Sequence, residues 1–207
     1  MAIPVLVLGE SGSGKTYAVK YLDPKEVGIF LVEKPRLPFK GPYQVLKDAS
    51  YHTIMKVLAD AQMKKYVIDD SQYLLVNEFF DRANEVGYQK FTDMALNFRN
   101  LIHFIIRKVP DDVIVYLLHH TDTDANGKTK AKTIGRMLDE KLTVEGLFDI
   151  VLRTQVTQDG HFFMTQSNGQ DTVKTPEGMF ADEKIPNNLK IVDDAIRAYY
   201  GLEEKKK

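Results

Sequence analysis

Cysteine is absent from the 207 residues, which excludes disulfides, thiolate metal sites and cysteine nucleophiles and fits a reducing compartment. No apolar run reaches the length of a membrane span. The chain opens on a strand and a glycine loop rather than a signal peptide, so the expectation is a soluble cytoplasmic protein with no membrane partner. Neither charge sign is in excess: 28 Lys and Arg against 29 Asp and Glu leave a formal net charge of −1. No overall field therefore draws nucleic acid, and such a partner needs a local basic patch. Internal repeats, low-complexity segments and linkers are also lacking. At 43% apolar content the chain is long enough to bury one full core, so a single α/β domain over 1–201 is expected, followed by a solvated charged tail, "LEEKKK", over 202–207.

What is present begins at "VLVLGESGSGKTYAV", residues 5–19. Gly9, Gly14, Lys15 and Thr16 fill the fixed places of G-x-x-x-x-G-K-[ST], the P-loop signature, and Gly12 adds a further hinge. Glycines let the backbone adopt conformations closed to residues with a Cβ, so successive amides turn inward around an anion. Gly9 to Tyr17 (Gly9, Glu10, Ser11, Gly12, Ser13, Gly14, Lys15, Thr16 and Tyr17) are thus the candidate contacts for ATP. Lys15 brings a mobile charge to the β- and γ-phosphates, Thr16 a hydroxyl for Mg²⁺, and the expected helix after the loop its positive end. The setting is the required one, since "IPVLVL" reads as a buried strand and "KTYAVKYL" places Ala18, Val19 and Leu22 on one helical face.

Further along, "VGIFLVE" (27–33) reads as a strand and "KPRLPFKGPY" as an irregular proline-rich loop. "SYHTIMKVLADAQ" reads as a helix capped by Ser50. "KKYVIDD" is a short strand ending in Asp69 and Asp70, and a helical region broken near Gly87 leads to a strand in "DDVIVYLLHHT" (111–121). "DTDANGKTKAKT" reads as a polar, flexible loop with no core-facing residue. "IGRMLDEKLTVEG" reads as a short helix, and "LFDIVLRTQVT" and "HFFMTQSNG" as a hairpin around "QDG". "LKIVDDAIRAYYG" closes as an amphipathic helix. Alternating strands and helices predict a mainly parallel sheet flanked by helices, with the hairpin antiparallel at one edge.

Ligands of such sheets lie beyond the carboxyl ends of the strands. There the chain offers the P-loop, Glu33, Asp69 with Asp70, and His119 with His120. An apolar strand ending in acid suits Asp69 to Mg²⁺. Glu33 and Asp70 compete to activate the attacking water: Glu33 is favoured for its reach, whereas Asp70 has the alternative of capping the following helix. The adjacent histidines point to opposite faces of a strand, so only one of them sees the nucleotide. Lys128, Lys130 and Lys132 alternate in "GKTKAKT", and in an extended backbone they line one side, an arrangement suited to a phosphate backbone but lacking aromatic stacking partners.

"GESGSGKT", "VIDDSQYLL" and "VIVYLLHHT", in this order, resemble the RecA-like P-loop ATPases. Nearly the whole chain, including "KTIGRMLDEKLTVEGLFDIVLRT" and "TQSNGQDTVKTPEGMF", is similar to short phage ATP-binding proteins built on a RecA core, some described as single-strand-annealing recombination ATPases. The resemblance implies that Glu33 is the catalytic glutamate and that His120 stands where a polar γ-phosphate sensor is usual. It implies that residues 121–133 contact DNA. It also implies a ring or filament in which a neighbour's Arg or Lys completes the site, with Arg136, Lys141 and Arg153 as candidates, and phage single-strand-binding or replication proteins as further partners. The expected function is a Mg²⁺-dependent, DNA-stimulated ATPase acting on single-stranded DNA in recombination, annealing or replication. The alternatives are a helicase loader or DNA motor, a small-molecule kinase, or a nucleotide-gated binding module.

Overall fold

Buried apolar runs and amphipathic segments alternate along the chain, and each becomes a strand or a covering helix in the computed structural model, which describes residues 1–34, 36–135 and 137–202. The elements are β1 (Ile3–Gly9), β2 (Val27–Leu31), β3 (Gln44–Leu46), α1 (Tyr51–Ala59), β4 (Lys65–Asp69), α2 (Tyr73–Asp81), α3 (Gln89–Lys108), β5 (Ile114–Thr123), β6 (Thr129–Ala131), β7 (Ile150–Thr157), β8 (Gly160–Met164), β9 (Lys184–Pro186) and α4 (Leu189–Tyr200). The sheet runs β3-β2-β4-β5-β1-β7-β8-β9, with β6 paired to β5 off this path. Along this path every pairing from β3 to β7 is parallel and β8 continues the edge antiparallel, as the sequence pattern predicts, with β9 adding a further antiparallel strand.

Parallel strands covered on both faces need apolar side chains on both. In β1, Leu6 and Leu8 enter the core beneath α1, α2 and α3, while Val5 and Val7 enter the core beneath α4. Ser50 caps α1 as predicted, sharing a reciprocal capping box with Thr53. At the opposite end of the chain Asn188 caps α4, and Gly201 closes it in the left-handed conformation. Gly87, at φ +98°, separates α2 from α3.

Several local expectations are corrected. The segment after the P-loop is a six-residue 3-10 helix, Thr16–Tyr21, rather than an α-helix. Tyr17, Val19 and Tyr21 are weak helix formers, and Leu22 leaves the helix in extended backbone two residues before Pro24. The supposed polar loop at 121–133 is an ordered hairpin: β6 pairs with the end of β5, Gly127 sits at φ +80°, and the Asp124 carboxylate accepts from the amides of Asn126 and Lys128. Its Ala131 is 2% exposed and faces the core. Residues 137–147 form a π-type turn, Met137–Leu142, and a 3-10 turn, Val144–Leu147, separated by Thr143 at φ +52°. The three-residue edge strands β3 and β9 are too short to show periodicity. Residues 203–207 of the tail lie outside the described residues.

Candidate functional site

The register of the parallel strands assembles the site. Gly9, at the end of β1, lies opposite His120 of β5, and Leu31, at the end of β2, lies opposite Asp69 of β4. Glycine is obligatory at position 9, because a Cβ there would sit 2.0 Å from Thr154 Oγ1 and 2.6 Å from Ser13 Oγ. Thr154 Oγ1 lies 2.7 Å from Ser13 Oγ, and the Ser13 hydroxyl donates to the Glu10 carbonyl at 2.7 Å, which fixes the inner wall of the loop. Gly12 and Gly14 take φ of +79° and +96°, conformations costly to residues with a Cβ. Lys15 is buried and donates to the carbonyls of Gly9 at 2.7 Å and Glu10 at 2.9 Å. Burial lowers its pKa to about 8, with Asp70 and Asp69 acting in the opposite direction.

Thr16 donates to Asp69 Oδ1 at 2.8 Å, joining two residues 53 positions apart. Burial, and after it the charge of Asp70, push the Asp69 carboxyl up to about 6. Asp70 occupies the left-handed region at φ +58°, a conformation Asp tolerates better than most residues. It does not cap α2, whose N-cap is Gln72. Its carboxylate instead accepts from His120 Nε2 at 3.1 Å and lies 2.9 Å from Lys34 Nζ. Burial raises the Asp70 pKa, yet the bonds from His120 and Lys34 outweigh it and hold the group at about 2.

The two histidines divide between the faces of β5 as strand geometry requires. His120 turns to Asp70 and packs against the edge of Tyr73. His119 is fully buried, and burial drives its pKa down to about 4. The neutral ring donates from Nε2 to the Lys132 carbonyl at 2.8 Å, which leaves Nδ1 as the acceptor for Ser71 Oγ at 2.9 Å. His119 therefore ties the turn after Asp70 to the base of the 121–133 hairpin.

P-loop, acid pair and histidines thus gather at one end of a mainly parallel sheet. One solved structure similar to the chain is that of a KaiC-like protein from the hyperthermophilic archaeon Pyrococcus horikoshii OT3, with a TM-score of 0.51 and 14% identity over 88% of this chain and 84% of that one. The fold is RecA-like. No family model matches the chain, and no curated protein matches its sequence.

Around this RecA-like core the remaining candidates are dispersed. Glu33 is exposed, two residues beyond the end of β2. Glu10, Ser11 and Tyr17 are exposed on the outer side of the P-loop segment, and the Tyr17 hydroxyl receives Lys20 Nζ. Lys128, Lys130 and Lys132 alternate with Thr129 and Ala131, placing the three lysines on the outer face of the hairpin. Asp122 pairs across from Lys130, so the face is less basic than the lysine row alone implies. The hairpin is anchored rather than loose: Thr129 donates to the Gln170 carbonyl, Ala131 to the buried Glu145 carboxylate and Lys132 to the His120 carbonyl. Arg153 donates to the buried Asp171 carboxylate at 2.8 Å within its own chain, Lys141 is exposed, and Arg136 lies outside the described residues.

Four neighbours of the site escaped the sequence reading. Lys34 opens the proline-rich segment "KPRLPFKGPY", where no motif marks it. Thr154, His161 and Asn187 come from β7, β8 and the residue after β9 and meet the P-loop only through the sheet order. Among the described residues no helix is long and apolar enough to cross a membrane, and no cluster of three or more His, Asp or Glu side chains could by itself hold a metal.

Proposed function

We propose that the chain is a Mg²⁺-dependent ATPase that acts on single-stranded DNA in recombination, annealing or replication. The observation that carries the ATPase reading is the contact of Thr16 with Asp69, which brings a P-loop hydroxyl and a strand-end carboxylate within 2.8 Å. These residues fit a hard cation, since both are oxygen donors and the half-buried Thr16 leaves the pair open to the loop. When bound, Mg²⁺ would neutralise charge on the β- and γ-phosphates.

The chain's own groups supply the rest. The loop amides and Lys15 bind and orient the phosphates. Glu33 is favoured as the base: Asp70, committed to Lys34 and His120 and held at about 2, is a poor proton acceptor, whereas Glu33 is exposed. The His120 ring contacts Asp70, and its carbonyl accepts from the Lys132 amide at 2.9 Å. This gives a short physical route between the nucleotide end and the lysine face, so ATP and DNA are expected to bind with reciprocal coupling. In a ring or filament a neighbour's cation would complete the site, and the engagement of Arg153 with Asp171 favours Lys141 or Arg136 for that task.

The test is ATP turnover with and without single-stranded DNA at several salt concentrations, with particle size followed in parallel. Stimulation that fades with salt supports the proposal. Turnover indifferent to DNA removes the DNA part of it, and stimulation by a nucleoside or nucleotide acceptor favours a kinase.

A further inference from the structure

The outer side of the P-loop is held by the antiparallel edge of the sheet. His161 Nδ1 donates to the Ser13 carbonyl at 3.1 Å, and Asn187 Nδ2 donates to the Gly14 carbonyl at 3.0 Å. The two side chains are delivered together, because the Asn187 amide bonds to the His161 carbonyl at 3.2 Å where β9 follows β8. A Cβ on Gly14 would lie 2.5 Å from Asn187 Nδ2 and 2.9 Å from His161 Nδ1, so both groups press against the Gly14 backbone.

In a trans peptide the C=O and N–H point in opposite directions, and the described chain contains no cis peptide. Fixing the Ser13 carbonyl toward His161 therefore directs the Gly14 amide the other way. The Gly14 carbonyl accepts from the Ala18 amide at 3.1 Å as well as from Asn187, and Asn187 as its second donor holds it, and with it the Lys15 amide, in the corresponding orientation. Asn187 also keeps its Oδ1 buried and unpartnered among the described residues, the residue being 8% exposed. Stability alone disfavours such an arrangement.

We infer that His161 and Asn187 are positioning residues, which pin two P-loop carbonyls outward so that the amides of Gly14 and Lys15 face the phosphates of a bound nucleotide. This rests on the nucleotide reading of the site. The amides of this loop cradle the α- and β-phosphates, so ADP and ATP depend on the pair alike.

The experiment titrates Mg·ATP and Mg·ADP into the full chain and its variants, with unfolding midpoints measured in the absence of nucleotide. H161F and N187D, which lose the donor, are expected to weaken both nucleotides by about three- to tenfold each. H161N, whose amide nitrogen occupies the place of the imidazole Nδ1, is expected to restore binding. His161 is exposed, so the comparison of H161F with H161N stands even if N187D fails to fold. Parent-like affinity in H161F and N187D overturns the inference and leaves the nucleotide reading intact. H161N binding as weakly as H161F also overturns it, since only ring packing would then matter. Failure of the parent to bind either nucleotide overturns the nucleotide reading and the inference with it.

Discussion

Replacing His119 with Gln should flatten the acid limb of the stability curve. In the unfolded chain an imidazole takes up a proton below about pH 6.5, whereas in the fold burial delays protonation to about 4. Between those values unfolding takes up a proton, so stability is fully present above about 6.5 and is lost as pH falls. At pH 5 the difference amounts to about 2 kcal/mol relative to neutral pH, or roughly 4–8 °C in Tm for a chain of this size. Gln offers one donor for the Lys132 carbonyl and one acceptor for Ser71 but does not titrate. Asp69 works in the opposite direction. Its pKa is raised to about 6, so the folded chain holds a proton the unfolded one has released, and that stabilisation disappears as pH rises from about 4 through 6. Parent and H119Q share this contribution, and it cancels in the comparison. Urea unfolding of both proteins at pH 5 and pH 7 reads the difference directly. Equal losses of stability between the two pH values would refute a neutral, buried His119.

Glu33→Gln should leave ATP binding nearly unchanged and lower turnover by about a hundredfold, the usual scale for a positioned base, while Asp70→Asn should show the smaller effect in single-turnover assays; the reverse order would transfer the role to Asp70. Joint replacement of Lys128, Lys130 and Lys132 by Ala should weaken single-stranded DNA binding and flatten its salt dependence while basal turnover survives. Binding like the parent at every salt concentration would exclude the hairpin. His120→Ala should preserve separate binding of ATP and DNA but abolish the strengthening of each by the other, as measured by DNA titrations with and without nucleotide.

The parallel core was legible because its strands are continuous buried runs, such as "IPVLVLG" and "KYVID", and because Ser50 and the Asp159-Gly160 turn carry local chemistry that tertiary packing does not override. The 121–133 hairpin reads as a loop because its polar composition gives no alternation of buried and exposed residues, and its order comes from pairing with the end of β5 and from the buried Glu145 carboxylate. Edge strands of three residues leave no periodic trace. At the site, Gly9, Lys15, Thr16 and Asp69 lie within patterns fixed by their immediate neighbours. Thr154, His161 and Asn187 approach the P-loop only after β7, β8 and β9 have aligned beside β1, and nothing local to those residues announces the contact. Asp70 reads from its position as a second candidate base with helix capping as the alternative. The opposing pulls of Lys34 and His120, which direct it elsewhere, come from two other strand ends.

The most direct measurement is calorimetric titration of ATP, with and without Mg²⁺, into the parent and Lys15→Ala, with the fold of each followed by its unfolding midpoint. Among the described residues the Lys15 ammonium donates to carbonyls of its own loop, at Gly9 and Glu10, and the loop's course is set by its glycines, so the variant should remain folded. ATP should bind the parent, more tightly with Mg²⁺, and bind Lys15→Ala at least about tenfold more weakly, as expected for a lost charge-assisted contact. A folded Lys15→Ala that binds ATP as the parent does, or a parent that binds none, would contradict the assignment of this loop to nucleotide phosphates.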